Sequence, residues 1–146
     1  MRLLKTFRDC LAPSLFLIVT MYAASAYADV VVVVSAKSAI SSLTSEQATK
    51  IFLGKTETFP GGGNAIPIDQ TEGNSIRDEF YSRIVHKNPA QVSAYWTKII
   101  FTGDGYPPRQ LDGDADVRKA VASNPNAIGY INRSAVDSSV RVVLTP

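Results

Sequence analysis

The chain has 146 residues, 15 basic against 13 acidic side chains, and a formal net charge of +2. That length holds one domain with one modest core, and so even a charge balance excludes the basic stripe that a nucleic-acid surface needs. A single cysteine excludes both a disulfide framework within the chain and a cysteine metal cluster.

Residues 1–28 read as an export address. Arg2, Lys5 and Arg8 make a basic start, Leu11 to Tyr22 is largely apolar, and Ala26-Tyr27-Ala28 has the small residues a signal peptidase requires. Cleavage is expected before Asp29, leaving one periplasmic domain over 29–146. The apolar run is interrupted by Pro13 and Ser14 and is shorter than the roughly 20 residues of a membrane span. Cys10 precedes that run, so it does not stand where a lipoprotein cysteine would. Arg2, Lys5, Arg8 and Asp9 belong to this segment; the remaining domain carries twelve charges of each sign and no cysteine.

Val30 to Val34 is a continuous β-branched run, which suits a strand covered on both faces, as in the middle of a parallel sheet. A polar loop at the carboxyl end of such a strand is a usual ligand position in open α/β sheets, so Ser35, Lys37 and Ser38 are candidate binding residues. A solvated turn accounts for the same residues. Thr44 with Gln47 three residues on forms a capping box, with Leu43 placed to staple against Ala48. A helix is expected over 45–53, burying Ala48, Ile51 and Phe52 and stopping at Gly54. Lys55 to Asn64, with Pro60 and three glycines, reads as loop; it lacks the Gly-Lys-Ser/Thr of a nucleotide loop.

Ile66 to Phe80 is the stretch that carries chemistry. A short apolar alternation ends in polar turn residues, Gly73 and Asn74 give permissive backbone, and Ile76, Phe80 and Ile84 recur at four-residue spacing. The pattern is strand, loop, helix start. A helix begun there has unpaired N–H groups and the positive end of its dipole facing the loop, so it can receive an anion. Gly73 permits close approach, and Ser75 and Arg77 add a hydroxyl and a charge. Asn74 or Ser75 as a plain N-cap, with Arg77 in a surface ion pair, explains the same residues.

Asn88-Pro89 starts a further helix whose apolar face is Val92, Tyr95, Trp96, Ile99 and Ile100, read as core. Asp112-Gly113-Asp114-Ala115-Asp116 has a passing likeness to a calcium loop without its later glutamate, so these acids are assigned to the dipole of the following helix and no metal is expected. Val117, Ala120 and Val121 mark that helix. Ala127 to Ile131 and Val140 to Leu144 read as short strands. The order of elements gives an α/β fold: one small domain with a mixed sheet flanked by helices. His86 is the only histidine, no Gly-x-Ser-x-Gly turn exists, and the adjacent Asp78 and Glu79 face different directions on their helix, so no enzyme activity and no cofactor are expected.

Three blocks, in order, resemble the periplasmic phosphate-binding proteins of ABC transporters, a branch of the type 2 periplasmic binding proteins. Ile51-Phe52-Leu53-Gly54-Lys55 is similar to the family's Ile-Phe-x-Gly-Lys. Glu72-Gly73-Asn74-Ser75-Ile76-Arg77 with Phe80 is similar to Gly-Ser-Gly-Thr-Arg and its following phenylalanine. Asn124-Pro125-Asn126-Ala127-Ile128-Gly129-Tyr130-Ile131 is similar to Pro-Gly-Ala-Ile-Gly-Tyr-Val. The resemblance implies a reduced version of that fold, holding phosphate or a similar oxyanion at Gly73, Asn74, Ser75 and Arg77, with Ser35 to Ser38 as an opposite wall. It implies an ABC transporter permease or another envelope protein as partner. On this reading Arg77→Ala removes binding and leaves the fold intact. The sequence departs from the family where Ile76 replaces a threonine and where Asp69-Gln70 stand near the place of an arginine; Asp69 is expected to repel a dianion. Only Ser35 to Lys50 separates the first strand from the first block, too little for a second lobe. A periplasmic protein-interaction module that kept the fold and lost tight binding is the alternative.

Overall fold

A computed structural model describes residues 29–146. The export signal expected over residues 1–28 lies outside the described residues. The five valines form most of β1 (Val30–Ser35), and none of them is exposed. Alternation along the strand sends Val30, Val32 and Val34 to one face of the sheet and Val31 and Val33 to the other, which is why a run without polar interruptions fits here.

The chain continues through α1 (Ser45–Phe52), β2 (Ile66–Gln70), α2 (Ser75–Phe80), a π-helical turn over Tyr81–Val85, α3 (Pro89–Thr102), β3 (Arg109–Leu111), α4 (Asp114–Ser123), β4 (Ala127–Asn132) and β5 (Val140–Leu144). The strands form one sheet in the order β3-β2-β4-β1-β5. β2 is parallel to β3 and β4, whereas β1 is antiparallel to both β4 and β5. The sheet is mixed, as expected, but the parallel setting read for β1 is corrected: burial on both faces produces an all-apolar strand whichever way its neighbours run.

α1, α2 with its π turn, and α3 cover one face, around Phe52, Phe80, Tyr81 and Tyr130; α4 covers the other through Val117 and Val121. Gly129 makes the second contact possible, because a Cβ there would sit 2.7 Å from Val117 Cγ1. The predicted capping box of Thr44 with Gln47 forms, and Asn88, read as the start of the next helix, makes a second box with Gln91. Ile100, expected in the core, is half exposed. It continues the row of Val92 and Trp96 into the last turn of α3, and the loop that follows the helix comes back over Ile99 instead. β3, three residues long, escaped the sequence pattern because its Arg-Gln-Leu shows no alternation to read.

Candidate functional site

β2 ends in Asp69-Gln70, a turn through Gly73 follows, and α2 begins at Ser75 with Asn74 as its cap. Gly73 has φ +85°, a conformation that a side chain would strain, and the space where its Cβ would point is open. Asn74 Oδ1 accepts the Ile76 N–H at 2.9 Å and the Asn74 carbonyl accepts the Asp78 N–H at 3.1 Å. The N–H groups of Ser75 and Arg77 have no protein acceptor among the described residues. Ile76 is turned into the core beside Phe80, so an apolar residue in place of threonine leaves the outward backbone unblocked. Gly73 and Ser75 are exposed.

Arg77 is placed differently from its sequence expectation. It is 4% exposed, and its Nε lies 3.5 Å from Oδ1 of Asp69, which is 1% exposed. The guanidinium also lies over the Tyr81 ring, 5.0 Å from its centroid, as four-residue spacing along one helical segment allows. Asp69 is further held by the Gln70 N–H at 2.9 Å, the Tyr81 hydroxyl at 2.8 Å and the Tyr130 hydroxyl. The expectation that Asp69 faces and repels a ligand is therefore corrected: its carboxylate points inward and is matched by Arg77. The expectation that Arg77→Ala leaves the fold intact is corrected with it, because that change would leave a buried carboxylate without its cation. Burial, and then the neighbouring Asp69 charge, pushes the Tyr81 and Tyr130 hydroxyls above the usual phenol range, so both stay protonated as donors.

The Ser35 to Ser38 loop is not brought to this place. Val34 pairs with Ile128, and Ile128 pairs with Pro67, so Ser35 stands beside the start of β2, whereas Gly73 lies beyond its end. The two are a strand's length apart, roughly 15 Å. The reason is the antiparallel direction of β1. The loop is also internally bonded: Ser35 Oγ donates to the Ala122 carbonyl at 3.3 Å and accepts the Lys37 N–H, Ser38 Oγ accepts the Ile40 N–H, and Lys37 is exposed. It cannot be the opposite wall of a site at α2.

Tyr81 and Tyr130 are the residues that sequence reasoning did not assign to this place, and the enclosure of Asp69 was missed with them. Gln70 bridges to the second sheet face, its Nε2 donating to Asp114 Oδ1 and to the Tyr130 carbonyl, both at 2.9 Å. The available signal was the four-residue spacing of Arg77 and Tyr81. A cavity of about 500 Å³ lies at the other end of β2, lined by Leu53, Ile66, Tyr95, Trp96, Tyr106 and Arg109 among others, and shares no residue with the α2 start. Among the described residues no cluster of histidine, cysteine or acid could hold a metal, and no helix is long and apolar enough to cross a membrane.

No protein-family model and no curated protein matches the sequence. Solved structures do. Over 79% of its length the chain matches a phosphate ABC transporter substrate-binding protein with bound phosphate from Clostridium perfringens, with TM-score 0.62 and 25% identity. An ABC-type phosphate transport receptor from Vibrio cholerae matches with TM-score 0.62 at 18% identity, and PstS from Borrelia burgdorferi with 0.59 at 12%. The chain resembles these phosphate-binding proteins. It has their α/β fold in reduced form, spanning 44%, 45% and 46% of those three chains. More than half of each of those chains has no counterpart among the matched residues.

Proposed function

We propose that the protein is an exported solute-binding module that receives a small oxyanion, phosphate or one of similar shape, at the start of α2, and that it delivers or reports that ligand to an ABC transporter permease or another envelope protein. The observation that carries this reading is the pair of N–H groups at Ser75 and Arg77 without protein acceptors among the described residues, with Ser75 exposed beside Gly73 and Ile76 turned away into the core. The substrate-binding nature of the transport proteins it resembles supports a binding role over an enzymatic one. Binding here rests on backbone donors and the Ser75 hydroxyl, because the charge of Arg77 is already matched. A site open on one side leaves the anion competing with water, so affinity is low, with Kd on the order of 1 mM.

Calorimetric titration with phosphate, and with sulfate for comparison, tests this on protein unfolded and refolded to strip carried ligand. Ser75→Pro is the informative variant. Ser75 is the first helical residue, where proline is tolerated, and Asn74 already has the extended backbone (φ −75°, ψ 129°) that precedes a proline. The change removes one donor N–H and the hydroxyl and keeps the fold. Affinity should fall about tenfold or more, the worth of one charge-assisted hydrogen bond. Unchanged affinity, or no saturable binding by the unaltered protein, would remove the oxyanion from the assignment.

A specific observation favours a second reading, the protein-interaction module. Phe101 and Tyr106 are 91% and 85% exposed, Ile66 and Ile100 are half exposed, and Ile66 and Tyr106 border the 500 Å³ cavity. Large apolar side chains left in water beside a cleft mark surfaces that other proteins cover.

A further inference from the structure

We propose that Asp69 is the protein's own resident anion: its carboxylate fills a buried anion receptor built by Arg77, Tyr81, Tyr130 and the Gln70 N–H. Three hydrogen-bond donors and one cation, from three parts of the fold, converge on one carboxyl group. Oδ1 takes the Gln70 N–H at 2.9 Å and the Tyr130 hydroxyl, with Arg77 Nε at 3.5 Å; Oδ2 takes the Tyr81 hydroxyl at 2.8 Å. Arg77 Nε is buried and makes no hydrogen bond, so its bond to the carboxylate is electrostatic and not yet optimal. A guanidinium, two hydroxyls and a backbone N–H around a site closed to water are the components of a carboxylate or oxyanion receptor, and here the anion arrives covalently attached to β2.

This assignment is independent of the oxyanion reading above, since neither Gly73 nor Ser75 takes part. Its consequence is about specificity. While Asp69 is present, the Arg77 cation is withdrawn from any ligand at the α2 start, and recognition there falls to neutral donors. Shortening Asp69 should vacate a site for a small planar carboxylate, with formate the closest in size to the group removed.

The test is thermal unfolding of the full chain carrying Asp69→Ala, with sodium formate against sodium chloride at equal ionic strength. The variant should melt on the order of 10 °C lower than the unaltered protein, and formate should raise its Tm saturably where chloride does not. The unaltered protein should show no such difference between the two salts. If Asp69→Ala is unfolded at 25 °C, recovery of helical circular dichroism on adding formate is the same readout. In Asp69→Ala with Arg77→Met the formate effect should vanish. Equal responses to formate and chloride in the single variant, or a formate effect that survives loss of Arg77, would overturn the assignment.

Discussion

Replacing Arg77 by methionine keeps most of the side chain's apolar stem and deletes its charge. What remains is Asp69, 1% exposed and held by three neutral donors alone. Breaking a buried ion pair from one side costs about 3 to 5 kcal/mol. The 3.5 Å contact is longer than a good charge-assisted hydrogen bond, and the two tyrosines still solvate the carboxylate, so the lower end, about 3 kcal/mol, applies. A domain of this size loses roughly 4 °C of Tm per kcal/mol, which places the variant about 12 °C below the unaltered protein. Differential scanning calorimetry near neutral pH reads the shift directly. Asp69→Asn combined with Arg77→Met should recover part of the loss, because a neutral pair replaces an orphaned charge. A single-variant shift under about 4 °C would refute the reasoning, since it would mean that hydroxyls and one N–H are enough to bury this carboxylate.

Gly129→Ala should cost about 1 to 3 kcal/mol by overpacking, because the added Cβ meets Val117 Cγ1 at 2.7 Å and Val121 Cγ2 at 3.1 Å; urea unfolding checks it, and a smaller Val117→Ala partner should restore stability. Tyr81 and Tyr130 have hydroxyls held protonated above the usual range, so stability should be fully present below the ordinary phenol pKa of about 10 and fall as pH rises past it, where the unfolded chain releases protons that the folded one keeps. The slope should be steeper than in Tyr130→Phe, and equal alkaline slopes would count against a buried phenol at that position. N-terminal sequencing of the protein recovered from a periplasmic extract should read Asp29-Val30-Val31; an intact Met1 in that fraction would exclude cleavage after Ala28.

The elements most legible in the sequence were those whose signal is local. Thr44 with Gln47, and Asn88 with Pro89, mark helix starts through local chemistry, and in the structure both helices start there. The alternation of Ile66 to Gln70 and the glycine turn after it gave the strand, loop and helix start of the candidate site for the same reason. The direction of β1 was not legible, because five valines bury equally well beside parallel or antiparallel neighbours; that one sign separated Ser35 to Ser38 from Gly73 to Arg77. The pairing of Asp69 with Arg77 was equally hidden. Each residue had a plausible solvent-facing role, and only the packing of the helical segment after Gly73 against β2 and β4 brings Tyr81 and Tyr130 to enclose them.

The direction of the strands also limits what the candidate site can become. β2 and β3 are parallel, so α2 and α4 both begin at the same end of the sheet, and Gln70 ties their starts together through Asp114. Two helix starts side by side would make a strong anion site if both were free. The α4 start instead carries Asp112, Asp114 and Asp116, whose charges offset its dipole and face the same end as the Ser75 N–H. With Arg77 matched by Asp69, the local charge around α2 does not attract an anion, and the exposed donors act through hydrogen bonds alone. A weak site of this kind becomes a tight one only when something covers it and excludes water, since donors already in place gain strength as the local dielectric falls. A partner that covered the α2 start would supply that exclusion, which joins the oxyanion and protein-interaction readings in one mechanism. Phosphate affinity measured with and without the partner distinguishes this coupling from either reading alone, because a shared site requires each ligand to raise the affinity of the other by the same factor.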